Sequence, residues 1–235
     1  MRSVSILKMM VVGLLLMAPT IAFANSVFKS GIAGSHGFLF FPFWQQVLTD
    51  MAAAQPNATF VATRTGPAQA QPCANERTCI PAAWISFLDG IRNKPRLAQL
   101  NAVNLWANAK PYVEDWAGWR VADYWETPGE FLARGGDCED YAITKYFSLV
   151  RLGFSPDDLR IVIVNDTNLN VFHAVLVARV EGGIWLLDNQ LQQTVPMDIA
   201  VQYVPVYSLN ERGWWIHSVP KIKLGNVTIA AGGAN

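Results

Sequence analysis

The hydrophobic pattern of this chain changes period at Gly153, and that change limits the folds open to it. Upstream, apolar residues keep helical spacing. Trp84, Phe87, Leu88 and Ile91 stand at i, i+3, i+4 and i+7; Leu97, Leu100, Asn104 and Leu105 follow Pro95; Ile143, Tyr146, Phe147 and Val150 repeat the pattern. Downstream, β-branched and aromatic runs at 159–164, 172–180, 184–189, 203–207 and 214–219 are separated by Gly, Pro and Asn. Helices first and strands after is an α+β order, expected here as an N-terminal helical lobe packed on an antiparallel β-sheet lobe.

Before position 81 the pattern is harder to read. Arg2 and Lys8, an apolar run from Met9 to Met17, and Ala22-Phe23-Ala24 have the layout of a cleavable export signal, so residues 1–24 are expected to be a signal peptide. The run is too short to span a bilayer and nothing like it recurs, so no integral membrane segment is expected after its removal. Residues 25–80 read as an N-terminal segment with partly irregular structure, 81–220 as the core and 221–235 as a C-terminal tail. Half of the residues are apolar, enough for a substantial core, and 18 basic residues balance 18 acidic ones without a basic run. Nucleic acid and anionic membrane surfaces are therefore not indicated as partners.

Three cysteines carry the next inference. Cys73 and Cys79, with five residues between them, can close a small disulfide ring in an oxidising compartment. Cys138 is left without a partner, which makes it either a buried inert thiol or a reactive one. It lies in Gly135-Gly136-Asp137-Cys138-Glu139-Asp140-Tyr141-Ala142, where a glycine turn hands over to a helix ending at Gly153. The unpaired N–H groups of a helix start favour a thiolate, whereas three adjacent carboxylates oppose it.

A nucleophilic thiol needs a base and a group to orient that base. Of the three histidines, His36 lies in the unreadable N-terminal part and His217 near the end of a late strand. His173 opens an apolar strand, where it is either a hydrogen-bonded core residue or the base. Asp188 closes the next strand, another apolar run in which a carboxylate must be paired. The midpoint between them falls at Val180 and Glu181, beside Gly182-Gly183, so a hairpin there brings them together. A tight loop on Gly182 and Gly183 would offset them by about four residues, so a longer loop or a bulge is expected. Asp166, in Asn165-Asp166-Thr167-Asn168, reads as a turn-former.

Taken together, Trp125-Glu126-Thr127-Pro128, the Cys138 turn leading to Lys145-Tyr146, Phe172-His173-Ala174-Val175-Leu176 and Leu186-Leu187-Asp188-Asn189 resemble the bacterial transglutaminase-like cysteine proteases of the LapG type. The resemblance covers roughly residues 81–207. It implies a papain-like, transglutaminase-type core with Cys138 as nucleophile, His173 as base and then acid, and Asp188 as the orienting group. It also implies a periplasmic endopeptidase that releases a large cell-surface adhesin by cutting near its N-terminus at paired alanines, promoting biofilm dispersal. An inner-membrane receptor for cyclic di-GMP is the inhibitory partner implied. Calcium is the implied cofactor, with Asp137, Glu139 and Asp140 as ligands. Carboxylates in a first helical turn also serve simply to complement the dipole, and three side chains supply only part of a calcium shell. The loop from Asp166 opens like an EF-hand but has Val171 and Val177 where its glycine and glutamate belong. A transglutaminase or amidase of the same core, a non-catalytic calcium-dependent binding module, and a structural exported domain with an inert thiol are the alternative readings.

Overall fold

The computed structural model describes residues 27–28, 32–34, 41–54 and 75–217, and the backbone of 223–224 and 227–228. The segment 1–24 expected to be a signal peptide, His36 and Cys73 lie outside the described residues. Helices α1 (Pro42–Ala53), α2 (Ala82–Ile91) and α3 (Arg96–Asn108) follow the short strand β1 (Ile32–Gly34). A single turn α4 (Asp115–Gly118), then α5 (Pro128–Arg134) and α6 (Cys138–Arg151), complete the helical half. Prolines set several of these boundaries. Pro81 and Pro95 sit immediately before α2 and α3, and Pro128 opens α5, because a missing N–H costs nothing where no acceptor is available. Gly153, at φ +85°, lets the chain turn away after α6.

The strands are β2 (Leu159–Asp166), β3 (Val171–Val180), β4 (Gly183–Leu187), β5 (Val195–Pro196), β6 (Tyr203–Asn210) and β7 (Gly213–Ile216). With β1 they form one sheet in the order β1-β7-β6-β2-β3-β4-β5, antiparallel throughout. A separate two-stranded ribbon pairs β8 (Lys223–Leu224) with β9 (Val227–Thr228). The fold is the expected α+β arrangement. Central strands β2 and β3 are buried on both faces, which explains why they read as nearly continuous apolar runs. Ile161, Leu176, Ala178 and Leu187 pack with Ile143, Tyr146 and Leu149 of α6, while Val162, Val164, Val175 and Val177 pack with Met197 and Tyr203.

Three details add to or depart from the sequence expectations. Residues 41–54, within the segment read as partly irregular, supply a core helix. Trp44 is fully buried against Trp125, Tyr146 and Phe147, and its indole N–H donates to the Asn210 carbonyl at 3.0 Å. The aromatic connection before α5 folds back on the Cys138 turn, with Tyr112 bridged to Gly136 and Val113 N–H donating to the Gly136 carbonyl at 3.0 Å.

The third difference is the hairpin between β3 and β4, which needs neither a longer loop nor a bulge. Val180 pairs with Gly183, so the two loop residues are Glu181 and Gly182, at φ +52° and +77°. Both angles positive is the turn whose twist matches that of the strands. Leu176 pairs with Leu187, and Asp188 steps off the end of the ladder toward His173. The bulge is elsewhere: pairing of β2 with β6 shifts between Ile163 and Val164, leaving Val206 as the extra residue.

Candidate active site

The Cys138 turn is built by exclusion of side chains. Gly135 adopts φ +88°, and a Cβ there would run into the Pro111 carbonyl. At Gly136 a Cβ would meet the Asp140 carboxylate. That carboxylate is fully buried; Oδ2 accepts the Asp137 N–H at 3.0 Å and Oδ1 the Glu126 N–H at 2.7 Å. Asp140 therefore closes the helix start and ties it to the segment before α5.

Cys138 is the first helical residue and is free. Its Sγ donates to Glu139 Oε2 at 2.9 Å. Burial pushes the thiol pKa far up, Glu139 and Asp137 push it further, and only a hydrogen bond from the Ala174 N–H opposes them. Burial and the two carboxylates therefore disfavour the thiolate at this turn.

Across a cavity of about 310 Å³ stands His173, which lines it together with Cys138, Trp125, Phe172, Val206 and Tyr207. His173 is buried, and its Nε2 lies 2.9 Å from Asp188 Oδ1. The same oxygen accepts the Gln190 N–H at 2.9 Å, and Oδ2 accepts the Tyr203 hydroxyl at 2.7 Å. Burial disfavours the Asp188 carboxylate, yet the hydrogen bond and charge of His173, with the Gln190 and Tyr203 donors, hold its pKa below the ordinary value. A carboxylate can only accept, so Nε2 carries the imidazole proton and Nδ1 is left able to take one. Asn108 Nδ2 on α3 donates to the Asp188 carbonyl at 2.8 Å and secures the turn from behind.

Asp166, His217 and Cys79 fall outside this cavity. His217 is buried with Nε2 2.9 Å from Ser208 Oγ. Asp166 Oδ1 accepts the N–H groups of Asn168 at 2.8 Å and Leu169 at 3.2 Å, as a turn-former does. Cys79 is disulfide-bonded, and Cys73 lies outside the described residues.

Beside the thiol is a larger carboxylate cluster than the sequence reading contains. Asp115, Asp123 and Glu139 converge to within 4.8 Å of one another, as do Asp115, Asp137 and Asp140. Asp115 lies on α4 and accepts the Tyr124 N–H at 2.7 Å. Sequence reasoning had no access to Asp115 and Asp123, because only the folded-back connection brings them to the turn. Asp137 is pushed up to about 9 and Asp115 to about 6, first by burial and then by neighbouring carboxylates. Asp137 Oδ1 is buried with no hydrogen-bond partner. An unpartnered buried oxygen among five carboxylates fits a hard divalent cation that takes oxygen ligands.

Comparison with known proteins shows the family and the fold. The family model for bacterial transglutaminase-like cysteine proteinases (BTLCP) matches residues 72–221. Calcium-bound LapG from Legionella pneumophila is similar to the chain at 32% identity, over 72% of this chain and 87% of that one, with a TM-score of 0.52. The EGTA-treated form of the same protein gives 31% identity, 75% and 88% coverage and a TM-score of 0.53. No curated protein matches the chain.

Proposed function

The chain belongs to the bacterial transglutaminase-like cysteine proteinase family, and on that premise we propose that it is a calcium-dependent, exported endopeptidase that releases a large cell-surface adhesin by cutting near its N-terminus at paired alanines. A biofilm-dispersing role in the periplasm, and restraint by an inner-membrane cyclic di-GMP receptor, belong to the same proposal. The observation that carries it is that Cys138 and His173 line one cavity, with Asp188 bonded to His173 behind it and the carboxylate cluster beside it.

In the proposed reaction His173 Nδ1 takes the Cys138 proton, while Asp188 stabilises the imidazolium through Nε2. The thiolate attacks the peptide carbonyl, forming a C–S bond, and the Cys138 backbone N–H receives the oxyanion at the helix start. His173 then protonates the departing amine as the C–N bond breaks. Water, deprotonated by the now neutral His173, attacks the thioester, and Cys138 leaves as the thiolate. Ala174 N–H steadies that thiolate in both of its appearances.

Asp115, Asp123, Asp137 and Glu139, with Asp140, are the residues that would hold calcium. When bound, the ion would offset the carboxylate charge that, after burial, disfavours the Cys138 thiolate. Asp140 has the structural part, since both of its oxygens already accept backbone N–H groups.

The test is incubation of purified protein with a large surface adhesin from the same cell, with calcium or with chelator, and mapping of any new N-terminus. Cleavage between paired alanines that requires calcium, and that Cys138→Ala abolishes without loss of fold, is the expected result. Turnover by Cys138→Ala near the wild-type rate would falsify the nucleophile assignment.

A further inference from the structure

Three groups donate to the Asp188 carboxylate, and one of them, the Tyr203 hydroxyl, comes from a strand that carries no other part of the proposed machinery. Tyr203 opens β6, where it pairs with Asp166 across β2, and it is 5% exposed. Its hydroxyl donates to Oδ2 at 2.7 Å, and its ring centroid is 5.7 Å from that of His173. Asp188 itself is 0% exposed, so no solvent shell can replace that donor if it is removed.

We propose that Tyr203 is a positioning residue for the reaction, acting through Asp188 to keep the His173 proton on Nε2. Oδ1 takes two donors, His173 Nε2 and the Gln190 N–H, and both approach one oxygen. A third donor on Oδ2 fixes the plane of the carboxylate, and hence the direction of the lone pair offered to Nε2. It also favours the ionised form. A protonated Asp188 could donate to Nε2, placing the ring proton on Nδ1 and leaving His173 unable to accept one from Cys138. The phenol remains the donor because burial, and then Asp188 itself, push its pKa upward.

This inference rests on the Cys138–His173 reading, and its test separates the two. The probe is iodoacetamide at neutral pH in calcium buffer, with long-range proton–nitrogen spectra of the His173 ring as the second readout. Only three histidines need assignment. Tyr203→Phe keeps the ring packing, and loss of a hydrogen bond to a charged acceptor is expected to slow Cys138 alkylation by about tenfold. The His173 nitrogen pattern should move from the Nε2–H form toward a mixture. Placing p-aminophenylalanine at 203, which keeps a donor, should restore both. In an Asp188→Asn background Tyr203→Phe should change nothing further, whereas an independent packing role would be additive. If His173→Ala slows alkylation but Tyr203→Phe changes neither the rate nor the spectrum, the Tyr203 role is wrong and the catalytic pair stands. If His173→Ala itself leaves the rate unchanged, the pair fails and the inference with it.

Discussion

Lys145 shows how one residue can make stability depend on pH without touching the cavity. It lies two turns along α6 from Cys138, is 1% exposed, and has its ammonium 5.7 Å from the Tyr141 ring centroid. Burial lowers its pKa to about 7, against the opposing pull of Asp188. The unfolded chain holds that proton up to about 10.4. Between these values the unfolded state binds more protons, so the stability penalty is full below about pH 7 and shrinks as pH rises toward the unfolded value. Relative to Lys145→Met, in which the group cannot titrate, the wild type should gain about 2–3 kcal/mol between pH 7 and pH 9. Urea unfolding of both proteins at the two pH values measures the difference; parallel pH dependence would show that the ammonium remains charged in the fold.

At the scale of elements, helix α1 determines whether the core closes. Its two buried side chains, Trp44 and Val47, join the cluster formed by Trp84, Trp125, Tyr146 and Leu209, so it caps the junction between α6 and the sheet. Asp50 on the same helix pairs with Arg77, which also contacts Tyr124 and bonds Glu130 at 3.2 Å. Tyr124 stands next to Asp123 of the carboxylate cluster, so the ion-pair network links α1 to the edge of the site. Trp44→Ala should cost about 3–5 kcal/mol, as for other buried aromatic deletions. Chemical denaturation would measure it. A loss below about 1 kcal/mol would mean that the helix is an appendage to the core.

The whole molecule has a charge problem concentrated in one place. Its formal net charge is zero, yet five carboxylates meet around Cys138 and several are pushed toward neutrality by burial and mutual repulsion. Relief of that repulsion by a cation stabilises only the folded chain. At calcium a hundredfold above its dissociation constant, the melting temperature should rise by roughly 5–10 °C over the chelated protein. Asp137→Asn should remove most of that increase. Differential scanning calorimetry with calcium, magnesium and chelator reads this directly, and equal melting temperatures in calcium and chelator would overturn the cation site.

The sequence by itself determined the kinds of element, their order and the chemistry they carry. Helical spacing up to Val150 and β-branched runs after Gly153 are local properties, set by which side chains share a face, so they could be read without coordinates. The isolated Cys138, and a histidine and an aspartate stranded in apolar strands, were legible because an ionisable group in such a run must have a partner. Only the tertiary structure decided which partners those are. The offset between His173 and Asp188 depended on the loop falling on Glu181 and Gly182 rather than one residue later, a choice made by the twist of the paired strands. Trp44, Asp115, Asp123 and Tyr203 come from distant stretches, and no local periodicity marks them. They reach the core or the site because chain reversals bring them beside α6 or to the start of β3, where packing and electrostatics act on neighbours in space whatever their separation along the chain.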